Sequence, residues 1–274
     1  MTSIKAILQQ RYAKIQIEWR RYCNNPYDVE RPHDLRVAIR TLRGLIKFLK
    51  RDMPQLTYES LDNDLSQAAK LFSPLRDLDV LIAEAGDFVY EHPKESSAYS
   101  ALFEKLRQKR DEEMKHTLTK ASRLTFTTCL KRIKTQLDSL TFERAGNPDY
   151  PKLLAKEFKR RDRELMKQYH QLDFHDYPRV HHVRKRAKTL RYSATYFAAF
   201  VPKKERKRVE RAKKIQDICG VITDAHVNDQ QLQCLAANTS SLEHRRVLLQ
   251  IAEEQRKIYT ADKQAVVKRA LTNN

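Results

Sequence analysis

Two segments of the sequence place a histidine and three cations at the same spacing, and cations arranged in this way attract anions. The segment H-D-L-R-V-A-I-R-T-L-R begins at His33, and the segment H-H-V-R-K-R-A-K-T-L-R-Y begins at His181. Offsets 0, 3, 7 and 10 hold these residues in both segments: His33, Arg36, Arg40 and Arg43, then His181, Arg184, Lys188 and Arg191. On a helix with about 100° per residue, such side chains lie within an arc of roughly 80°. Each segment therefore predicts one helix with a single basic stripe.

The stripes belong to a longer repeat. They lie 148 residues apart, Asp77 follows His33 by 44 residues, and Asp224 follows His181 by 43. This near-constant spacing predicts an internal duplication, with halves at residues 1–145 and 149–274 that together form one domain. The segment Ala145-Gly146-Asn147-Pro148 is the clearest boundary, because glycine and proline interrupt helices.

The composition predicts an all-α protein. The chain has 274 residues, only 4 Gly and 9 Pro, and 41% hydrophobic residues, which is enough for a folded core. Leu, Ala, Lys, Arg and Glu are frequent, and there are no alternating Val/Ile/Thr runs. The helical periods between polar interruptions predict about eleven helices, with long ones near 150–171 and 241–271.

The charge limits the class of ligand without choosing one. The formal net charge of +19 would attract nucleic acid, anionic lipid or polyphosphate. The N-terminal residues contain no apolar core of an export signal, and the longest uncharged apolar stretch, 192–202, is too short to span a bilayer. We therefore expect a soluble, cytoplasmic protein without membrane contact, and four cysteines that are buried and reduced.

A stripe of cations is most often a solvated helix face, and three features argue against that interpretation here. The stripe recurs with its histidine. Few acids lie at neighbouring helical positions: Asp34 is near the first stripe, and none lies between Asp176 and Glu205. The opposite face of each helix is apolar, so packing fixes the direction of the stripe. The apolar residues are Leu35, Ile39, Leu42, Ile46 and Leu49 in the first segment, and Val183, Ala187, Leu190 and Ala194 in the second.

The sequence contains no recognisable catalytic or metal-binding motif. The histidines between 170 and 182 lack the spacing of a helical zinc pair, and no cysteine joins them. Phosphate-binding loops with glycine are absent, as are acidic runs of the magnesium type. Asp77 and Asp79 follow Ser73-Pro74, so we expect both in the first turn of a helix, where acids favour the dipole. We also expect Asp77 to pair with a stripe arginine and orient it.

Four blocks of the sequence resemble the CHAD domain (conserved histidine α-helical domain). In order, they are H-D-L-R-V-A-I-R-T-L-R, S-P-L-R-D-L-D-V-L, H-H-V-R-K-R-A-K-T-L-R-Y and I-Q-D-I-C-G-V-I-T-D-A, and the resemblance covers about residues 5–265. It implies two helical bundles related by a pseudo-twofold axis, with a basic central groove that binds inorganic polyphosphate, and localisation on polyphosphate granules. The E-x-E-x-K stretch of the CYTH triphosphatase domain that often accompanies it is absent, which predicts a stand-alone CHAD protein that is not an enzyme and needs no cofactor or metal.

The resemblance also implies a set of polyphosphate-binding residues. It comprises both histidines, the stripe cations and three further residues: His33, Arg36, Arg40, Arg43, Arg76, His181, Arg184, Lys185, Lys188, Arg191 and Tyr192. His182 stands where the family usually has a small or apolar residue, so either His181 or His182 could face the groove; the match to His33 favours His181. Thr41 replaces a common arginine and weakens the first stripe.

Three other functions compete with polyphosphate binding. An enzyme, a phosphatase or phosphotransferase that uses the histidines, would need a metal or a nucleophile that the sequence does not show. A nucleic-acid-binding helical protein, with RNA as the ligand, would need exposed aromatic rings for stacking, and few lie near the stripes. A non-catalytic scaffold would use the basic face to dock acidic partners. We expect inorganic polyphosphate or another polyanion as the ligand, with nucleic acid as the less favoured alternative.

Overall fold

The structure, a computed structural model, describes residues 3–142, 150–200 and 206–272. Within these ranges it is all-α, with eleven helices and no strands, as the sequence predicts. The helices are α1 (Ile4–Asn24), α2 (Glu30–Phe48), α3 (Gln55–Lys70), α4 (Ser73–Glu91), α5 (Ser96–Thr117), α6 (Lys120–Ser139), α7 (Tyr150–His170), α8 (Tyr177–Tyr196), α9 (Arg206–Ala237), α10 (Leu242–Thr260) and α11 (Lys263–Thr272). None of these described helices is both long and apolar enough to cross a membrane.

The chain forms two compact units. Unit 1 comprises residues 1–79, 110–161 and 189–209, and unit 2 comprises residues 80–109, 162–188 and 210–274. The predicted halves, 1–145 and 149–274, come from the sequence repeat rather than from contacts, and they stay a prediction. Their boundary at 145–148 lies outside the described residues.

Unit 1 holds the first stripe helix, α2, against α1 and α3. The apolar face predicted for α2 is buried: Leu35, Ile39, Leu42, Ile46 and Leu49 have no exposed surface. At the end of the helix, Arg161 donates to the carbonyl oxygens of Lys47 and Phe48 at 3.3 and 3.0 Å and lies over the Phe48 ring. Terminal carbonyls lack partners within the helix, so Arg161 satisfies them and fixes the end of α2.

The second stripe helix, α8, begins with a side-chain cap. Asp176 accepts a hydrogen bond from the Arg179 amide at 3.1 Å, and an aspartate at this position satisfies amides that have no helical partner. Val183, Ala187 and Leu190 are buried, as the apolar face predicts. Direction and packing of both stripe helices therefore follow from the sequence pattern.

Unit 2 has its own apolar core, which joins residues of four helices. It contains residues of α4, α5, α9 and α10, namely Leu81, Ala85, Phe88, Ala98, Leu102, Leu106, Leu232, Ala236, Val247, Leu248, Ile251 and Ala252.

Two expectations on local structure are wrong. The predicted helix 241–271 is interrupted after Thr260, because Asp262 accepts a hydrogen bond from the Ala265 amide at 2.8 Å and starts α11 as a separate helix. The cysteines are not all buried: Cys129 and Cys219 are buried, Cys23 is half-buried and Cys234 is exposed.

Candidate polyanion-binding site

The first basic cluster, which we define as His33, Arg36, Arg40 and Arg76, lies in unit 1 on α2 and the start of α4. Arg36 is almost fully buried, with 8% of its side chain exposed, and its contacts to other helices are long. It donates to the Ser73 carbonyl at 3.4 Å and to Asp77 Oδ1 at 3.5 Å. The expected pairing of Asp77 with a stripe arginine is confirmed, although the distance makes it a weak hydrogen bond.

The charge of the first cluster is poorly balanced. Burial, and then the charge of Arg40, lower the pKa of Arg36 to about 10, while Asp77 acts in the opposite direction. Burial and the nearby charge of Arg76 lower the pKa of His33. Within the part of the chain that the structure describes, no ion pair or side-chain hydrogen bond of the Arg76 guanidinium is found. An anion placed here would relieve both the desolvation and the repulsion.

Arg43 differs from the other stripe cations of α2. It makes two hydrogen bonds with Asp62 on α3, at 2.6 and 3.1 Å, and Lys47 lies 3.6 Å from the same carboxylate. Burial alone would raise the pKa of Asp62, but Arg43 and Lys47 hold it below its ordinary value. A bidentate pair of this kind fixes the guanidinium, so Arg43 ties α2 to α3.

The second basic cluster, which we define as His181, Arg184, Lys185 and Lys188, lies in unit 2 on α8. Arg184 makes a two-pronged ion pair with Asp224 on α9, at 2.6 and 2.7 Å, and it also donates to the Thr223 hydroxyl. The Asp224 side chain is 61% exposed. The Arg184 guanidinium is therefore already paired with a carboxylate in the free protein.

His181 belongs to the second cluster, and His182 does not share its surroundings. His181 is half-buried, and burial together with the charges of Lys185 and other stripe cations lowers its pKa, while Asp224 raises it. His182 is exposed, and its pKa is lowered by burial and then by the charge of Arg186. His181 thus has the position among the stripe cations that His33 has in unit 1, as the spacing favours.

Two other residues of the predicted set lie apart from both clusters. Arg191 and Tyr192 belong to the segment of α8 that is part of unit 1. The Arg191 guanidinium lies 5.7 Å from the centre of the Tyr192 ring. That ring covers Gly44 on α2, where an added Cβ would come within 3.2 Å of it. We conclude that Tyr192 packs against the helix that carries the first stripe.

The two stripes make corresponding ion pairs with other helices. The arginine at offset 3 of each stripe pairs with the aspartate that follows the histidine by 44 or 43 residues. These pairs are Arg36 with Asp77 and Arg184 with Asp224. The residue before the aspartate differs, since Arg76 in unit 1 corresponds to the buried Thr223 in unit 2. The second cluster thus has a hydroxyl that binds its own arginine where the first has an additional cation.

Two statements on the acids need correction. The stripes are less free of acids than sequence neighbours suggest, because Asp62, Asp77 and Asp224 reach them from other helices. Neither Asp77 nor Asp79 lies in the first turn of a helix, although the sequence predicts that position for both: α4 begins at Ser73 and has no acid in its first turn. Asp79 is instead buried and accepts a hydrogen bond from Arg110 at 2.7 Å, since a buried carboxylate needs a partner.

Sequence reasoning missed Asp62 and Thr223. Asp62 lies 19 residues after Arg43, and only the packing of α3 on α2 brings them together, so no local signal identifies it. Thr223 could have been found by aligning the residue before Asp224 with Arg76. No group of three or more His, Cys, Asp or Glu that could hold a metal occurs in residues 3–142, 150–200 and 206–272.

Comparison with known proteins identifies the family and the fold. The family model of the CHAD domain matches residues 6–233. The chain belongs to the CHAD domain family. Its fold is similar to the crystal structure of the CHAD domain from the plant Ricinus communis, with a TM-score of 0.73 and 21% identity, over 98% of this chain and 90% of that one.

A second match to a solved structure has lower sequence identity. PptA from Streptomyces chartreusis matches with a TM-score of 0.68 and 12% identity, over 98% of this chain and 97% of that one. No curated protein matches the sequence. At these identities the structural matches establish the fold of the CHAD chain. The pseudo-twofold relation and the basic groove stay predictions.

Proposed function

We propose that this CHAD protein binds inorganic polyphosphate through its basic clusters and performs no chemistry on it. The family is associated with polyphosphate, and the first cluster provides the physical basis. The observation that supports the proposal most is the pair formed by Arg36 and Arg76: a buried guanidinium with a carboxylate only at 3.5 Å, beside a second guanidinium without a carboxylate partner among the described residues.

A phosphate oxygen suits this arrangement chemically. Arginine presents a planar fork of N–H donors that matches phosphate oxygens, and charge-assisted hydrogen bonds of this kind are among the strongest in proteins. The closely spaced charges of polyphosphate allow one chain to contact several cations in succession. Counterion release would make the affinity strongly dependent on salt, as it does for nucleic acids.

The surroundings of the clusters favour polyphosphate over nucleic acid. Binding of single strands without sequence preference uses aromatic rings on which bases stack. The aromatic residue carried over from the family, Tyr192, lies against Gly44. Beside the second cluster, Tyr177 is stacked on His226 with 3.8 Å between ring centres. Both rings are engaged in packing, and phosphate groups need none.

The proposed role is binding without catalysis. The carboxylate that reaches the first cluster from α4, Asp77, is paired with Arg36, and hydrolysis needs a placed metal or an activated nucleophile. We expect no release of phosphate from polyphosphate or nucleoside triphosphates, with or without Mg²⁺. Phosphate release that a His33 or His181 substitution abolishes would contradict this.

The test of ligand class is a competition experiment. Labelled long-chain polyphosphate is bound at about 150 mM salt, and RNA and duplex DNA of matched charge are added as competitors. We expect polyphosphate to bind more tightly than both nucleic acids. Equal or tighter binding of RNA or DNA would assign the clusters to nucleic acid. For the cellular role, we propose a cytoplasmic protein on polyphosphate granules, to be checked by imaging a fluorescent fusion beside a polyphosphate stain.

A further inference from the structure

A charged cavity lies in unit 1, on a different side of α2 from the first basic cluster. Its volume is about 160 Å³. It is lined by residues of α1, α2 and the end of α8: Arg11, Lys14, Glu18, Arg21, Asp34, Val37, Ala38, Thr41 and Tyr196. At about 100° per residue, its lining on α2 is centred roughly 130° away from the stripe. The cavity is therefore separate from the site described above.

The wall contributed by α1 repeats the spacing of the stripes. Arg11, Lys14, Glu18 and Arg21 fall at offsets 0, 3, 7 and 10, so they lie on one face of the helix. Unlike the stripes, this face has an acid at the third position. This wall thus presents three cations together with one carboxylate.

The carboxylate is deeply buried and only partly satisfied. Glu18 is 1% exposed, and its Oε1 pairs with Lys14 at 2.5 Å and with Arg21 at 3.2 Å. Its Oε2 is buried and has no hydrogen-bond partner. A buried acceptor without a donor is costly, so this oxygen needs a donor from whatever fills the cavity.

Arg11 is the corresponding unsatisfied donor. Its Nε is buried without a hydrogen-bond partner, and its guanidinium lies over the Tyr196 ring at 4.6 Å. Asp34, the other acid of the lining, is 44% exposed and faces Arg31 at 3.9 Å. An occupant must therefore accept hydrogen bonds from Arg11 and donate one to Glu18.

We propose that this cavity binds a phosphate group that retains a proton, either free orthophosphate or the end of a polyphosphate chain. The charged oxygens would accept from Arg11 and from the cations beside it, and the P–OH would donate to Glu18 Oε2. The size is adequate, because 160 Å³ corresponds to about five waters at roughly 30 Å³ each and phosphate has five non-hydrogen atoms. Interior phosphates of a chain have no such proton at neutral pH.

Sulfate is the matched probe, because it has the shape of phosphate and no proton at this pH. Calorimetric titration of the whole protein at about pH 6 should show orthophosphate binding at least about tenfold more tightly than sulfate, since one charge-assisted hydrogen bond separates them. Equal affinities for the two anions would overturn the proposal.

Two variants locate the effect. Glu18→Gln keeps the shape and removes the charged acceptor, so the two affinities should converge to within about threefold. Arg11→Gln should weaken binding of orthophosphate at least about tenfold, by loss of one charged contact. Should Glu18→Gln fail to fold, the proposal is tested by the loss of orthophosphate affinity in Arg11→Gln together with the ratio of orthophosphate to sulfate affinity in the wild type. Preference for phosphate that survives in both variants would place the discriminating site elsewhere and overturn the proposal.

The source of the phosphate is identified by two probes with three phosphates each. Linear tripolyphosphate has two ends, and cyclic trimetaphosphate has none. If the site takes chain ends, tripolyphosphate should displace orthophosphate and trimetaphosphate should not; displacement by both would overturn the requirement for a P–OH. If neither displaces it, the occupant is free orthophosphate. Binding of a polyphosphate end in this cavity rests on the proposed function, whereas binding of orthophosphate does not. The proposed function and the orthophosphate site can therefore be disproved independently.

Discussion

The two basic clusters share one spacing of cations in the sequence and differ in how their arginines are held. In unit 1, Arg36 is 3.5 Å from Asp77. In unit 2, Arg184 is held by Asp224 through two bonds of 2.6 and 2.7 Å. The first cluster has Arg76 where the second has an uncharged residue. One spacing of cations in a sequence therefore gives a loosely paired arginine in unit 1 and a closely paired one in unit 2, and side chains from other helices decide which.

Charge reversal at the first cluster should have the largest effect. The exposed Arg40 and the half-buried Arg76 can be changed without filling the core. Arg40→Glu with Arg76→Glu should weaken polyphosphate binding at least about tenfold, because each lost charge-assisted contact is worth about 1.5–3 kcal/mol and 1.4 kcal/mol is a factor of ten. Fluorescence titration with long-chain polyphosphate measures the change.

The matched control carries the same change in net charge on α6. Lys120→Glu with Lys131→Glu alters two exposed cations of unit 1 and should leave the affinity within about threefold of wild type, as expected for general electrostatics near the surface. If both double variants lose the same affinity, binding is diffuse and no defined site exists.

Releasing the arginine of the second cluster should have a smaller, opposite effect. Asp224→Asn removes the carboxylate that occupies Arg184, and exposed pairs of this kind are worth about 0.2–1 kcal/mol. We expect polyphosphate to bind about two- to fivefold more tightly, measured by the same titration. Asp77→Asn should change the affinity less, because its pair is looser; a larger gain from Asp77→Asn would reverse the comparison.

The pH dependence should follow the two histidines. Burial and neighbouring cations lower the pKa of His33 and of His181, so both are neutral at pH 7 in the free protein. A bound polyanion favours imidazolium and raises both pKa values, so the complex takes up protons and the affinity increases as the pH falls below about 6.5. We expect a gain of a few-fold between about pH 7.5 and pH 5.5.

Single substitutions of the histidines test whether they cause this pH dependence of the affinity. His33→Gln and His181→Gln should each flatten the pH profile of the affinity for long-chain polyphosphate. A profile unchanged in the double variant would show that other groups are responsible.

The smallest effect on binding is expected at Arg43, which belongs to the stripe by sequence and to the α2–α3 contact by structure. Asp62→Asn should lower the free energy of unfolding by about 1–2 kcal/mol while the polyphosphate affinity stays within twofold. The folded pKa of Asp62 is lowered, so its contribution is present above its unfolded pKa and is lost as the pH falls through the folded one. Urea unfolding at about pH 7 and pH 3 measures the loss of stability, and a clear gain of polyphosphate affinity in Asp62→Asn would place Arg43 in the site.

The sequence predicts the helices and their buried faces better than it predicts which side chains pair between helices. The buried faces of α2 and α8 follow from apolar residues at helical spacing, and the match between Arg36–Asp77 and Arg184–Asp224 follows from the repeat. The pair of Arg43 and Asp62 depends on which helices pack together, which local periodicity does not contain.

Two local features could not be predicted from the sequence pattern for a different reason. The interruption of the helix after Thr260 depends on one aspartate, Asp262, which is also compatible with a continuous helix. The α1 face with Glu18 reads as an ordinary i, i+4 ion pair, and only its burial shows that one carboxylate oxygen lacks a donor.

The most direct test follows the NMR signals of the arginine side chains. In ¹⁵N-labelled protein, the Nε–Hε signals, assigned by single Arg→Lys variants, are recorded as polyphosphate is added. We predict that the signals of Arg36 and Arg76 shift and become protected from exchange, while that of Arg43, which is held by Asp62, does not. Shifts confined to Arg43, or equal shifts of all arginine signals, would contradict a binding site at the first cluster.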